Sequence, residues 1–310
     1  MKILITGGAG YLGSVMTGVL LKAGHQVTVL DNISLGIPSL LGYCSNPEFD
    51  FVRGDSRDER ILKELVPGFD VIIPLAAVVG AKACDNDPVL ARTVNLEAIR
   101  SLNKLRGKEQ WVVSPCTNSG YGTQSGDIYC TEETPLEPIS LYGETKVTAE
   151  KELLEFENSI SLRLATVFGP SPRMRLDLLV NDFVYRAFKD GFIVIYERHF
   201  KRNYVHIEDV ADCFLHCITN FDGMRGEPYN VGLNEANLSK AELAEKIKEY
   251  FPKFYIHYAD IGSDPDKRNY IVSNDKIKAK GFEAKRSIDE GIRQLTKVYS
   301  MLPRGPFFNA

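Results

Sequence analysis

Apolar and polar positions change period along this chain in a repeating order. Short apolar runs at residues 2–6, 26–30, 49–52, 70–74, 110–113 and 160–165 alternate with stretches in which apolar residues return every three to four positions. The runs predict strands buried on both faces, and the stretches between them predict helices. Such alternation predicts a parallel sheet, because parallel strands need crossovers, and right-handed helical crossovers cover both faces. The expected fold class is α/β: a Rossmann-type doubly wound parallel sheet over residues 1–167, then a smaller α/β substrate-binding unit over 168–310. Beyond Phe168 the pattern breaks into a loop rich in Pro and Arg, a helix through Asn181–Lys189 and short strands. Two further helices are opened by Ser239…Glu242 and Ser287…Glu290 at capping-box spacing. Part of the later chain, about 203–232, is expected to return to the first sheet. No internal repeat or low-complexity linker interrupts the pattern.

The turn after the first apolar run reads GGAGYLG, with Gly7, Gly10 and Gly13 between Ile3, Leu4, Ile5 and the helical pattern Val15, Val19, Leu20. Strand, tight glycine turn and helix form the arrangement that lets backbone approach a pyrophosphate and presents helix N–H groups to it. The spacing is G-x-x-G-x-x-G rather than the commoner G-x-G-x-x-G. Asp31 ends the second run, where a carboxylate accepts from the hydroxyls of an adenosine ribose and repels a 2′-phosphate. No arginine follows in Asn32, Ile33 or Ser34, so the expected cofactor is NAD rather than NADP. Asp55, in the turn Gly-Asp-Ser after the third strand, is a candidate for the adenine edge and is equally ordinary turn chemistry.

Tyr142 and Lys146 stand one helical turn apart at the start of a predicted helix. A cation held beside a phenol lowers the pKa of the phenol toward that of a useful base.

With these residues in place, the chain resembles the extended short-chain dehydrogenase/reductase family, in its nucleotide-sugar epimerase and dehydratase group. The resemblance runs from the glycine loop to the helix near Ser287 and rests on TGGAGYLGS, Asp31-Asn32, Gly54-Asp55 and PLAA at 74–77. It continues through Asn95, TNSGYG at 117–122, YGETK at 142–146 and RNYVHIEDV at 202–210. For the cofactor it implies contacts from Gly7, Gly10, Tyr11, Leu12, Gly13, Asp31, Asn32, Asp55, Ser56, Leu75, Ala76, Ala77, Asn95, Tyr142 and Lys146. The catalytic set it implies is Tyr142 as proton acceptor from a sugar hydroxyl, Lys146 holding the phenolate and the nicotinamide ribose, and Thr117 bonded to the same sugar oxygen. Within the group, RLATVFGPSPRMRLDLLVNDF and DPDKRNYIVSN are most similar to enzymes that oxidise C4 of GDP-heptose for capsule sugars.

Related 4,6-dehydratases follow the threonine with an Asp-Glu pair, because expelling water needs a general acid and a base. This chain has Asn118 and Ser119 there, which cannot shuttle protons near neutral pH, so dehydration is disfavoured. Oxidation at C4 needs only Tyr142, Lys146 and Thr117. The keto sugar can then leave, as from a dehydrogenase, or be reduced on its other face, as by an epimerase. The narrower resemblance favours the dehydrogenase. A non-catalytic NAD-binding sensor or scaffold is the rival from another class, but degenerate relatives lose the Tyr or the Lys and this chain keeps both.

Arg173, Arg175, Arg198, Lys201 and Arg202 gather positive charge in the second unit, which suits the diphosphate of a nucleotide sugar. Arg202 matches the diphosphate-binding segment of the family. Thr117, Asn118, Ser119, Asn181 and Arg268 join Arg173, Arg175 and Arg202 as substrate-side candidates, with a GDP-sugar implied by the resemblance alone.

Composition changes little in this picture. The 310 residues are 44% apolar and 25% charged with a net charge of −4, ordinary globular usage that argues against a general nucleic-acid binder. No apolar run nears the roughly 20 residues of a membrane span, and the first strand follows Met1 too closely for a signal core. A soluble cytoplasmic protein is expected. Six scattered cysteines without C-x-x-C suggest reduced, buried thiols. Cys213, His216 and Cys217 share a helix face but no further ligand from elsewhere in the chain is visible, so no metal is expected. His199 and His206 read as structural histidines, and no Ser/His/Asp pattern supports a hydrolase. Apolar positions Val89, Val94, Ile99 and Leu102, with Val147, Leu153 and Leu154, lie on two helices that related enzymes pair across a twofold axis. A homodimer is therefore expected.

Overall fold

The computed structural model describes residues 1–124, 129–259, 261 and 268–302. Its strands are β1 (Lys2–Thr6), β2 (Gln26–Asp31), β3 (Phe49–Arg53), β4 (Val71–Pro74), β5 (Trp111–Thr117), β6 (Tyr129–Cys130) and β7 (Ser159–Leu164). They continue as β8 (Thr166–Phe168), β9 (Phe192–Ile195), β10 (Lys201–His206), β11 (Pro228–Val231), β12 (Asn237–Ser239), β13 (Tyr255–Tyr258) and β14 (Ile271–Val272). The α-helices are α1 (Tyr11–Lys22), α2 (Glu59–Leu65), α3 (Ala81–Asn86), α4 (Pro88–Arg92), α5 (Ala98–Leu105) and α6 (Leu141–Leu154). After them come α7 (Leu179–Lys189), α8 (Ile207–Thr219), α9 (Lys240–Lys248), α10 (Asp275–Ala279) and α11 (Ile288–Met301).

Seven strands form one parallel sheet in the order β11-β7-β5-β4-β1-β2-β3. Successive residues of the central strands feed opposite faces, as the two-residue period of a strand requires. Ile3 and Ile5 join the larger core with Val71 and Ile73, whereas Leu4 and Ile72 join a second core with Leu30, Leu62, Ile99, Leu102 and Leu153. Because both faces are covered, the strands read as continuous apolar runs. The strand order reverses between β1 and β4, so a crevice opens beyond their carboxyl ends, and there the glycine loop and Leu75–Ala77 meet.

The fifth strand is longer than its apolar run predicts. β5 pairs with β4 only at Val71↔Trp111 and Ile72↔Val112, but with β7 as far as Thr117↔Leu164. Pro115 lacks an N–H, and it sits where β4 has already ended, so one side of the strand needs no donor. The overhang carries Thr117 out to the crevice.

Residues 203–232 contribute to two sheets. β11 adds to the edge of the large sheet beside β7, whereas β10 pairs with β8 and β12 in a separate three-stranded sheet. α8 packs along α1. The Ser239–Glu242 box forms reciprocally, and Ser287 accepts from the Glu290 N–H. No helix among the described residues is long and apolar enough to cross a membrane.

Candidate active site

Gly7 adopts φ +75°, and a Cβ there would fall 2.5 Å from the Ala76 nitrogen. A Cβ on Gly13 would meet the Gly8 Cα at the same distance, so the loop can pack flat against the start of α1 only as glycine. Gly10 is the N-cap of α1 and no side chain caps the helix. The first-turn N–H groups of Tyr11, Leu12 and Gly13 are thus left for an anion. Asp31 accepts from the Ala9 N–H at 2.9 Å with one oxygen and from the Ile33 N–H at 2.7 Å with the other. Each oxygen keeps a second lone pair for a ribose hydroxyl. This cradle of backbone donors ending at a carboxylate fits a dinucleotide.

The remaining cofactor-side candidates divide. Asn32 turns its amide oxygen to the Ser34 N–H, and half-buried Ser56 follows Asp55. Asp55 is bound by Arg57 through Nε at 2.9 Å and Nη2 at 2.7 Å, and this pairing holds its carboxyl below the usual range. Tyr11 sends its hydroxyl to the Gly169 carbonyl at 2.7 Å, so its side chain tethers the second unit while its backbone faces the cradle. Asn95 is buried on a π-helical turn, Thr93–Glu97, that joins α4 to α5. Its amide oxygen accepts from the Val78 N–H at 2.8 Å, and its NH2 donates to the Val78 carbonyl at 3.0 Å and to Thr145 at 3.2 Å. Asn95 therefore ties the loop after β4 to the helix that carries Lys146.

Tyr142, Lys146 and Glu150 follow at successive turns of α6, whose N-cap Ser140 accepts from the Gly143 N–H. The Tyr142 ring keeps some exposure, but burial of the phenol pushes it up to about 12, and the Cys116 thiol adds to that. Arg175 and Arg268 oppose the rise. Desolvation dominates, and the cations that act most on the phenol are two arginines from the second unit. Burial also lowers Lys146, with Cys116 and Glu150 opposing.

Thr117 donates to the Ser119 hydroxyl at 2.9 Å and accepts from the Ser119 N–H at 3.1 Å. Arg268 donates to the same Ser119 oxygen. Asn118 is fully buried, and neither atom of its amide has a partner among the described residues. Four residues of DPDKRNYIVSN, 264–267, lie outside the described residues.

On the substrate side, Arg202 is buried on β10, donates to the Lys201 carbonyl at 3.0 Å and stands 5.6 Å from the Tyr270 ring centroid. Arg175 pairs with Asp177. Arg198 stands over the Tyr258 ring, 5.3 Å from its centroid. The amide of Asn181 is committed to protein partners: its oxygen accepts from the Gly169 N–H at 3.1 Å, and its NH2 donates to the Tyr11 hydroxyl at 3.2 Å and the Arg175 carbonyl at 2.8 Å. It braces the site from behind. His206 caps α8 and bonds Gln294 at 2.8 Å, while His216 bonds the Lys280 carbonyl at 3.0 Å. Among the described residues no three His, Cys, Asp or Glu side chains are grouped to hold a metal.

Sequence reading missed the supports. Glu150 takes the Arg163 guanidinium through both oxygens, the closest contact being 2.8 Å, and both side chains are buried. Arg163 also donates to the Tyr121 hydroxyl at 3.1 Å, which in turn donates to Asn230 at 2.7 Å. The only sequence signal was the spacing of Glu150, one turn beyond Lys146.

A family model described as the NAD dependent epimerase/dehydratase family matches residues 3–232. A low-salt glycan biosynthesis protein of Haloferax volcanii is 28% identical over 96% of this chain and 98% of its own length. A UDP-glucose 4-epimerase of Mycolicibacterium smegmatis is 31% identical over 75% of this chain and 77% of its own. Among solved structures, the UDP-glucose 4-epimerase of Thermus thermophilus in complex with NAD matches with a TM-score of 0.83 at 26% identity. That match covers 97% of this chain and 99% of the other.

Proposed function

Because the chain belongs to the NAD dependent epimerase/dehydratase family, and so is an NAD-dependent enzyme of nucleotide sugars, we propose that it oxidises C4 of GDP-heptose. The product is a 4-keto sugar for capsule or surface polysaccharide synthesis. NAD, when bound in the glycine cradle, supplies the hydride acceptor. Thr117 holds the C4 oxygen, and Tyr142, as a phenolate kept in place by Lys146, takes the hydroxyl proton and becomes a neutral phenol. The C4 hydrogen leaves with its electron pair, and a carbonyl remains.

The observation that carries this reading is the pair after Thr117. Asn118 is a neutral amide, and the Ser119 hydroxyl is already bonded to Thr117 and Arg268, so neither offers the acid and base that elimination requires. The heptose and the guanine rest on the resemblance of residues 163–183 and 264–274. Epimerisation through the same keto sugar is the second reading, favoured by the likeness to the mycobacterial 4-epimerase.

We further read residues 168–310 as mainly the nucleotide-sugar unit, and the protein as a cytoplasmic homodimer. Of the apolar positions on the two helices, Ile99, Leu102, Val147 and Leu153 are buried within the chain, while Val89 is 73% exposed and free for a partner copy. Light scattering at the dimer mass supports this, and a monomer at working concentration overturns it.

The test of function is product analysis by mass spectrometry and NMR after incubation with NAD and GDP-, UDP-, dTDP- and CDP-sugars, GDP-heptose included. Accumulation of a 4-keto product with NADH supports the dehydrogenase. Inversion at C4 without net redox change supports the epimerase, and no change with any sugar supports the sensor.

A further inference from the structure

We propose that Arg173 serves the cofactor half of the crevice, its guanidinium meeting the pyrophosphate of the dinucleotide, and that residues 169–178 form the clasp that holds it there. The proposal rests on the NAD site and not on which sugar is oxidised.

The clasp is fastened to the first turn of α1 at several points. The Tyr11 hydroxyl donates to the Gly169 carbonyl at 2.7 Å. Ser171 donates to the Tyr11 carbonyl at 2.7 Å and lies 2.9 Å from the Ser14 hydroxyl. Asn181 closes the loop from behind by bonding Gly169, Tyr11 and the Arg175 carbonyl. The Arg173 N–H donates to Ser171 at 3.2 Å, and its Nη1 donates to the Met174 carbonyl at 3.1 Å. Arg173 therefore begins two residues from the point where the clasp touches the helix end with uncapped N–H groups, and only 5% of it is exposed.

Charge points the same way. A pyrophosphate brings two negative charges next to Asp31, while the amino end of α1 offers only about half a positive charge. The loop from Gly7 to Ser14 contains no Lys or Arg. Burial and the neighbouring Arg175 depress the Arg173 guanidinium, whereas Asp177 and Asp31 sustain it, so Arg173 and the ribose carboxylate feel one another's charge. Arg175 acts instead on Tyr142 and Tyr11.

The test is calorimetric titration of the full chain, freed of bound nucleotide, with NAD, ADP, adenosine and GDP, for the natural protein and for Arg173→Gln. The variant should bind NAD and ADP about tenfold or more weaker, as expected for losing a charged hydrogen bond, with adenosine and GDP within about twofold. Arg173→Lys should recover part of the ADP affinity, and it carries the comparison if the Gln variant does not fold. Unchanged NAD and ADP affinity with loss of GDP would move Arg173 to the nucleotide sugar and overturn the proposal. So would an equal loss for all four ligands, because a charge acting on phosphate leaves adenosine untouched. None of these outcomes depends on the sugar product, so the proposed reaction can fail while the arginine assignment stands.

Discussion

Ser119 accepts a hydrogen bond from Arg268, which brings a permanent cation from the far end of the chain to the loop that carries Thr117. The same guanidinium, with Arg175, works against the burial that pushes the Tyr142 phenol to about 12. Removing a positive charge favours the protonated phenol. Arg268→Ala should therefore move the alkaline rise of the oxidation rate to higher pH and lower the rate near neutrality, on the order of tenfold. An unmoved pH profile would detach Arg268 from the phenol.

Tyr142→Phe removes one oxygen from a site otherwise held by α6. Turnover should fall by about 10²–10⁴ while the NAD dissociation constant stays unchanged. A variant that turns over normally would take Tyr142 out of the mechanism.

The Glu150–Arg163 pair is 2% and 7% exposed at its side chains, so neither charge can turn to water if the other is lost. Arg163→Ala should cost about 3–5 kcal/mol in denaturant unfolding, whereas replacing both residues with methionine should cost much less. Equal losses would show that packing, not charge, sets the stability here.

Gly7→Ala puts a methyl group 2.5 Å from the Ala76 nitrogen at a φ of +75°. The loop must open away from Leu75–Ala77, so NAD affinity should drop by more than about tenfold and the protein should lose about 1–3 kcal/mol of stability. Retention of both would mean that the two loops are not in contact during binding.

The sequence was most readable where the relevant geometry is local. Gly7, Gly10 and Gly13 announce a backbone problem within one turn, Asp31 falls at the end of a strand, and Tyr142 and Lys146 share a helix face by spacing alone. Glu150 and Arg163 were unreadable as partners, because the strand that brings them together is identified by its apolar residues, and Arg163 is an interruption in it. Asn181 shows a related limit: the resemblance suggests it for the substrate side, and only the fold reveals that Gly169, Tyr11 and Arg175 bond its amide. The extent of β5 was hidden by Pro115, which is tolerated only because β4 stops short.

The π-helical turn at Thr93–Glu97 makes one further point, about chain length. Such a turn winds in about one more residue than an α-helical turn, and Asn95 sits at its middle. Deleting a single residue from this stretch would restore an even helix and rotate one flank against the other by about 100°. Asn95 would swing off Val78 and Thr145, and the loop after β4 would lose its tie to α6. The site thus depends on a residue count as strictly as on residue identity, and a homologue with one residue fewer between α4 and α5 should not be expected to brace its catalytic lysine in this way.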